Sequence, residues 1–224
     1  MKKILFEVVN NLKNTNYLIA KLPNKFPSIF KTGSDLDIFC ENIAEVINSL
    51  YPVINKYIES YQNVKVKIYN FSKNHSQIDF CLKENLLFKL DICDKIENFK
   101  NYKVSNNFLK KILKNKKKKI IKFNSKKTMV FIPRNKDEIF IRYMEYIKSN
   151  KKKKQHQSYF LKYNQSQKMK KSFESYLSKK KLDLDLFFDI IKKYQSQANY
   201  YKYKIKKHSM AEIFSLMKKK FKRG

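Results

Sequence analysis

Asp35 and Asp37 stand two residues apart in the stretch KTGSDLDIFC (31–40), and what that spacing means depends on the element that carries it. On a helix the two side chains would point about 200° apart. On a strand they share a face, with Cα atoms roughly 6.5–7 Å apart, near enough for both carboxylates to grip one or two divalent cations. DLDIFC alternates, with Leu36 and Ile38 on one side and the aspartates on the other, which is strand periodicity. Two-metal phosphoryl transfer needs ions about 3.5–4 Å apart held by such groups. One strand cannot surround an ion, so a third carboxylate is expected from a neighbouring strand. Asp79 in QIDFC and Asp91 in FKLDIC are the two candidates.

Gly33 and Ser34 lie directly ahead of this pair. The chain has two glycines, and the other is the terminal Gly224. A backbone that bends sharply into a carboxylate-bearing strand, and lets phosphate approach closely, needs a residue without Cβ. Ser34 would add a hydroxyl and a backbone N–H to a phosphate site. Any tight turn accepts Gly-Ser, but the chain avoids glycine at every other interior position, and that favours a functional role. Lys21 and Lys25, a little upstream, are sources of positive charge for the same phosphates.

These residues need elements to hold them. Ile4, Leu5, Val8, Val9 and Leu12 recur at helical spacing over 3–14, and YLIAKL (17–22) reads as a short buried strand stopped by Pro23. A helix is expected over 41–61, kinked or divided by Pro52. Three strands follow at 64–71, 76–82 and 86–93, the last two joined by the polar connection KEN (83–85). Register decides how Asp79 and Asp91 relate. If Leu82 pairs with Leu86, Asp79 stands opposite Lys89 and Asp91 is expected on the other face; if Cys81 pairs with Lys89, the two aspartates share a face. A basic helical stretch (105–122) and a strand TMVFI (128–132) come next, and Pro133 ends the unit. Beyond it the pattern is helical, with Asn135 as N-cap and Glu138 as its reciprocal partner. The fold class is therefore α+β: a small mixed sheet with flanking helices over 1–133, then a basic helical region over 134–224.

Gly33-Ser34-Asp35-Leu36-Asp37-Ile38, followed by a helix and then a hairpin whose second strand holds KLDI, resembles the DNA polymerase β-like nucleotidyltransferase superfamily over roughly residues 15–95. The resemblance implies Asp35 and Asp37 as ligands of two Mg²⁺ ions. It also implies a third ligand on the later hairpin strand, Asp91 in preference to Asp79, and an NTP as substrate. The family's usual Gly-Ser element lies well upstream of its paired aspartates and opens a phosphate-cradling helix; here positions 22–26 read LPNKF, without glycine. The acceptor of the nucleotide is left open among RNA, a sugar, a lipid, a small molecule and a protein.

Composition adds two bounds. No apolar run approaches the roughly 18 residues of a membrane helix, and three cysteines without C-x-x-C spacing fit reduced, buried thiols in a cytoplasmic protein. Charge is lopsided: residues 1–100 net +3, and residues 101–224 hold 37 Lys+Arg against 8 Asp+Glu, a net of +29. Such a tail attracts polyanions, although Lys, Asn and Ile also dominate chains with AT-rich codons. The second D-x-D, Asp183 and Asp185, opens an apolar helical pattern and is explained by the helix dipole. His75, His156 and His208 are isolated and polar-flanked. The lysine runs read as solvated surface, and YYKYKIKK (200–207) as an amphipathic helix. Two rival functions remain. One is a D-x-D glycosyltransferase, for which the residues ahead of Asp35 are too few to build a nucleotide-binding unit; the other is a catalytically degenerate, basic RNA-binding module.

Overall fold

The computed structural model describes residues 1–23, 25–96 and 106–148. The expected Asp183–Asp185 helix, His156, His208, the 200–207 segment and the rest of the basic tail lie outside them. One compact unit spans Met1–Lys148. Its elements are α1 (Lys2–Asn11), β1 (Tyr17–Ile19), β2 (Ser34–Cys40), α2 (Ile43–Ser60), β3 (Val64–Ser72), β4 (His75–Leu82), β5 (Asn85–Cys93), α3 (Asn106–Lys114), β6 (Lys117–Phe123), β7 (Lys126–Ile132) and α4 (Asn135–Lys148).

Five strands form one mixed sheet in the order β1-β2-β5-β4-β3, with β2 and β5 parallel and the other neighbours antiparallel. The α+β class expected from the sequence is the class observed. Strand alternation divides the sheet's two faces. Leu36, Ile38, Ile78, Phe80, Leu90 and Ile92 join Leu5, Val8, Leu50 and Val53 of α1 and α2 in one buried core. That leaves the opposite face of β2, β4 and β5 for polar side chains.

α2 starts where Asn42 accepts hydrogen bonds from the Ala44 and Glu45 N–H groups at 2.9 and 3.3 Å, satisfying two of the orphan donors of the first turn. It runs through Pro52 as one helix instead of dividing there. Pro52 is exposed, so water can take the carbonyl that its missing N–H leaves over.

The stretch 105–122 is only half helical. α3 ends at Lys114, and KKKIIKF forms β6, paired antiparallel with β7 through a turn at Asn124. Ile121 is buried while Ile120 is 67% exposed; alternation against a partner strand overrode the helical reading. The hairpin packs on α1 and β1 through Phe6 against Phe123 (6.0 Å), Tyr17 against Phe131 (5.7 Å) and a hydrogen bond from Thr128 to Asn10. Lys116, read as part of a solvated run, lies 4.3 Å from the Phe131 ring centroid and donates to Asn16 at 2.6 Å. Burial lowers its pKa. Asn135 is the first residue of α4 and accepts from Lys117, while Glu138 pairs with Arg142 at 2.8 Å. α4 belongs to the compact unit, which continues past Pro133 to Lys148.

Candidate metal centre

The β4–β5 hairpin turns on Lys83 and Glu84, both with left-handed backbone (φ 47° and 65°), the conformation of a two-residue hairpin loop. Near the turn Leu82 pairs with Asn85 and Cys81 with Leu86. A shift at Phe80–Cys81 then sets the register Asp79↔Lys89 and Gln77↔Asp91. The pairing of Asp79 with Lys89 does not send Asp91 to the other face, as the sequence reading expects. Cross-strand partners share a face, and Lys89 and Asp91 are two apart on one strand, so Asp79, Lys89 and Asp91 all lie together.

The parallel register places Asp35 beside Lys89 and Asp37 beside Asp91. One ligand oxygen from each of Asp35, Asp37 and Asp91 lies within 4.8 Å of the others. Among the described residues this is the one group of three or more acidic, histidine or cysteine side chains so arranged. Asp79 stands outside it, accepting from the Gln77 amide at 2.6 Å. Three converging carboxylates fit a hard divalent cation, which prefers oxygen ligands.

Two lysines are built into the same face. The Ala20 N–H donates to the Asp37 carbonyl at 2.9 Å, extending the β1–β2 pairing and setting Lys21 next to Asp37. The Lys21 ammonium lies 2.6 Å from Asp37 Oδ2 and 2.7–2.8 Å from the two oxygens of Glu145 on α4. Burial pulls its pKa down, but the two carboxylates outweigh burial and hold it above the ordinary value. Lys89 Nζ is 3.2 Å from Asp91 Oδ2. Its pKa is also raised, with Asp91, Asp35 and Asp79 outweighing burial.

Gly33 adopts φ +77°, where an L side chain is strained, although a Cβ there would meet nothing within 4 Å. What glycine supplies is the turn. Its N–H donates to the Leu87 carbonyl at 2.8 Å and that of Ser34 to Lys31 at 3.2 Å, so both amides are engaged within the fold. Ser34 shares the strand parity of Leu36 and Ile38, which puts its hydroxyl on the face opposite the carboxylates. Lys21 thus pairs with the acidic group, while the Ser34 side chain has the parity of the sheet's other face.

A cleft of about 490 Å³ opens beside Asp37 and Asp91. Asp37, Asp91 and Glu145 form its acidic end, Phe108, Phe140 and Met144 its apolar wall, and His75 its rim. Phe108 and Phe140 meet edge to face at 4.9 Å, joining α3 to α4. His75 Nε2 is 3.7 Å from Asp91 Oδ1. Sequence reasoning missed Glu145. The available signal was a carboxylate set among apolar neighbours in RYMEYIK, where Tyr143, Met144 and Tyr146 are all buried; a carboxylate in such company needs a cation. Cys40 and Cys81 are buried and Cys93 half-buried, none of them in a disulfide, and burial pushes Cys40 up to about 12. No helix of the described residues is long and apolar enough to cross a membrane.

No family model matches the chain, and no curated protein matches it. Among solved structures it is similar to one from H. pylori described as a "putative nucleotidyltransferase". The two share 13% identity, the match covers 87% of this chain and 95% of that one, and the TM-score is 0.35. At that score the likeness decides neither fold nor chemistry, which are carried here by the sheet and its carboxylates.

Proposed function

We propose that the chain is a metal-dependent nucleotidyltransferase that moves NMP from an NTP to a hydroxyl, or another nucleophile, of an acceptor. The observation that carries this reading is the convergence of Asp35, Asp37 and Asp91 from two adjacent parallel strands, with Asp37 and Asp91 lining a cleft. Asp35 and Asp37 would hold one or two Mg²⁺ ions, with Asp91 as the third ligand on the acceptor side. When bound, such ions supply Lewis-acid stabilisation of the charge that develops at the transferring phosphoryl group.

The chain's own groups do the rest. Asp91 is oriented between Lys89 and His75, and the site's carboxylates set the hydroxyl in line with the α-phosphorus. The new bond joins the acceptor oxygen to that phosphorus. The bond to the β-phosphate oxygen breaks, pyrophosphate leaves, and the hydroxyl proton passes to solvent. Lys21 and Lys89 place positive charge beside the triphosphate, and Lys21 holds the Asp37 carboxylate in one orientation. The apolar wall of Phe108, Phe140 and Met144 limits water at the reacting end.

Asp37→Asn keeps the side chain's volume and removes its charge. It is expected to abolish label transfer from α-³²P-NTPs into cell extract while leaving the far-UV spectrum unchanged. A folded, fully active variant would overturn the assignment. Running the same extract with labelled UDP-sugars separates nucleotide transfer from glycosyl transfer.

A further inference from the structure

Edge strand β3 carries a feature that the proposed chemistry does not use. Tyr69 and Phe71 stack with ring centroids 6.1 Å apart and planes 11° from parallel, and they are 39% and 59% exposed. Among the described residues β3 has no partner on its outer side; large apolar rings side by side on such an edge invite aggregation, and natural sheets avoid them. An exposed apolar pair of this kind marks a place where an occupant binds.

Their position indicates which one. Tyr69 pairs with Gln77, Gln77 with Asp91, and Asp91 with Asp37, so one row of the sheet leads from the rings to the carboxylates. Two strand spacings, about 10 Å, separate Tyr69 from Asp91. Phe71 bridges part of that gap: its ring lies 5.0 Å from His75, whose Nε2 is 3.7 Å from Asp91. Lys67 shares the strand parity of Tyr69 and is exposed, Lys73 is exposed at the following turn, and Lys95 is exposed on the cleft lining. Flat rings interleaved with ammonium groups are the makings of a single-strand track. Bases stack on the rings irrespective of sequence, and lysines take the phosphates.

From this we infer that Tyr69 and Phe71 form a stacking platform for the last bases of a single-stranded nucleic acid, whose 3′-hydroxyl is thereby led to Asp91. The direction of the strand rests on the function proposed above; binding to the platform does not.

The test uses the full wild-type chain in chelator, so that no turnover intrudes, with a fluorescein-labelled oligouridylate carrying 4-thiouridine at its 3′ end. At about 0.2 M salt, where lysine attraction is largely screened, Phe71→Ala is expected to weaken binding about tenfold, and Phe71→Trp to retain it. The slope of log affinity against log salt should not change, because no phosphate contact is lost. Crosslinks from the 3′ base should map to residues 64–75. Unchanged affinity in Phe71→Ala, with crosslinks confined to 149–224, would overturn the inference. So would loss of NTP affinity without loss of oligonucleotide affinity, or sedimentation showing a wild-type dimer that Phe71→Ala dissociates. Tyr69→Ala, checked for folding by circular dichroism, gives an independent reading should Phe71→Ala not fold. Ring-dependent binding without NMP transfer from any NTP would remove the proposed enzyme and keep the platform; transfer with ring-independent binding would do the reverse.

Discussion

Lys21 is the residue on which the state of the acidic site turns. Its ammonium sits where cation charge is needed, bridging Asp37 and Glu145 with its side chain 13% exposed. Removing it leaves two carboxylates facing one another, and breaking a largely buried pair from one side is costly. Lys21→Met is expected to lower metal-free stability by about 3–5 kcal/mol and to tighten Mn²⁺ binding, since the ion no longer competes with an ammonium. The sign of the pH effect follows from the raised pKa. The pair's stabilisation is complete below the ordinary value of 10.5 and fades as pH rises through the folded-state value. In chelator, the gap in melting temperature between wild type and Lys21→Met should therefore hold steady through neutral pH and close above about pH 10.5. A gap that ignores pH, with Mn²⁺ affinity unmoved, would show that Lys21 does not govern the site.

Among the elements, β6 gives the sharpest test of how local pattern and partner compete. Ile120 and Ile121 are neighbours in sequence and opposite in environment, 67% and 4% exposed. A strand predicts that contrast through its two-residue period. Ile121→Ala should cost about 2–4 kcal/mol in urea unfolding, and Ile120→Ala no more than about 0.5 kcal/mol. Similar costs at the two positions would contradict the hairpin. The lysines that flank these isoleucines made the segment read as helix, since lysine suits a helix better than a strand; β7, with Val130 fully buried, supplies the partner that decides otherwise. α4 shows the same dependence in function. Its helical pattern was plain, but only the tertiary fold brought Glu145 to the lysine that pairs with Asp37.

For the whole molecule, the dominant quantity is charge: +32 over 224 residues, most of it beyond residue 100. If the lysine excess engages polyanions, affinity of the full chain for poly(U) should fall about a thousandfold between 50 and 200 mM salt, measured by filter binding. A shallow slope would instead leave the lysines as a consequence of codon composition. This electrostatic term is distinct from the cleft, where acidic and basic groups balance at short range around Asp37 and Asp91.

Much of this was legible in the chain itself. Two-residue alternation put Asp35 and Asp37 on one face of a strand, and Gly33 marked a left-handed turn before it. These are local properties, set by sterics within a few residues. The resemblance already preferred Asp91 to Asp79; what the tertiary structure adds is the parallel pairing of β2 with β5, which sets Asp91 beside Asp37. Lys21 and Glu145, 124 residues apart in the chain, are likewise brought together only by the tertiary fold, through the placement of α4. Such contacts depend on which strand neighbours which and on where a distant helix packs, and no local periodicity encodes either.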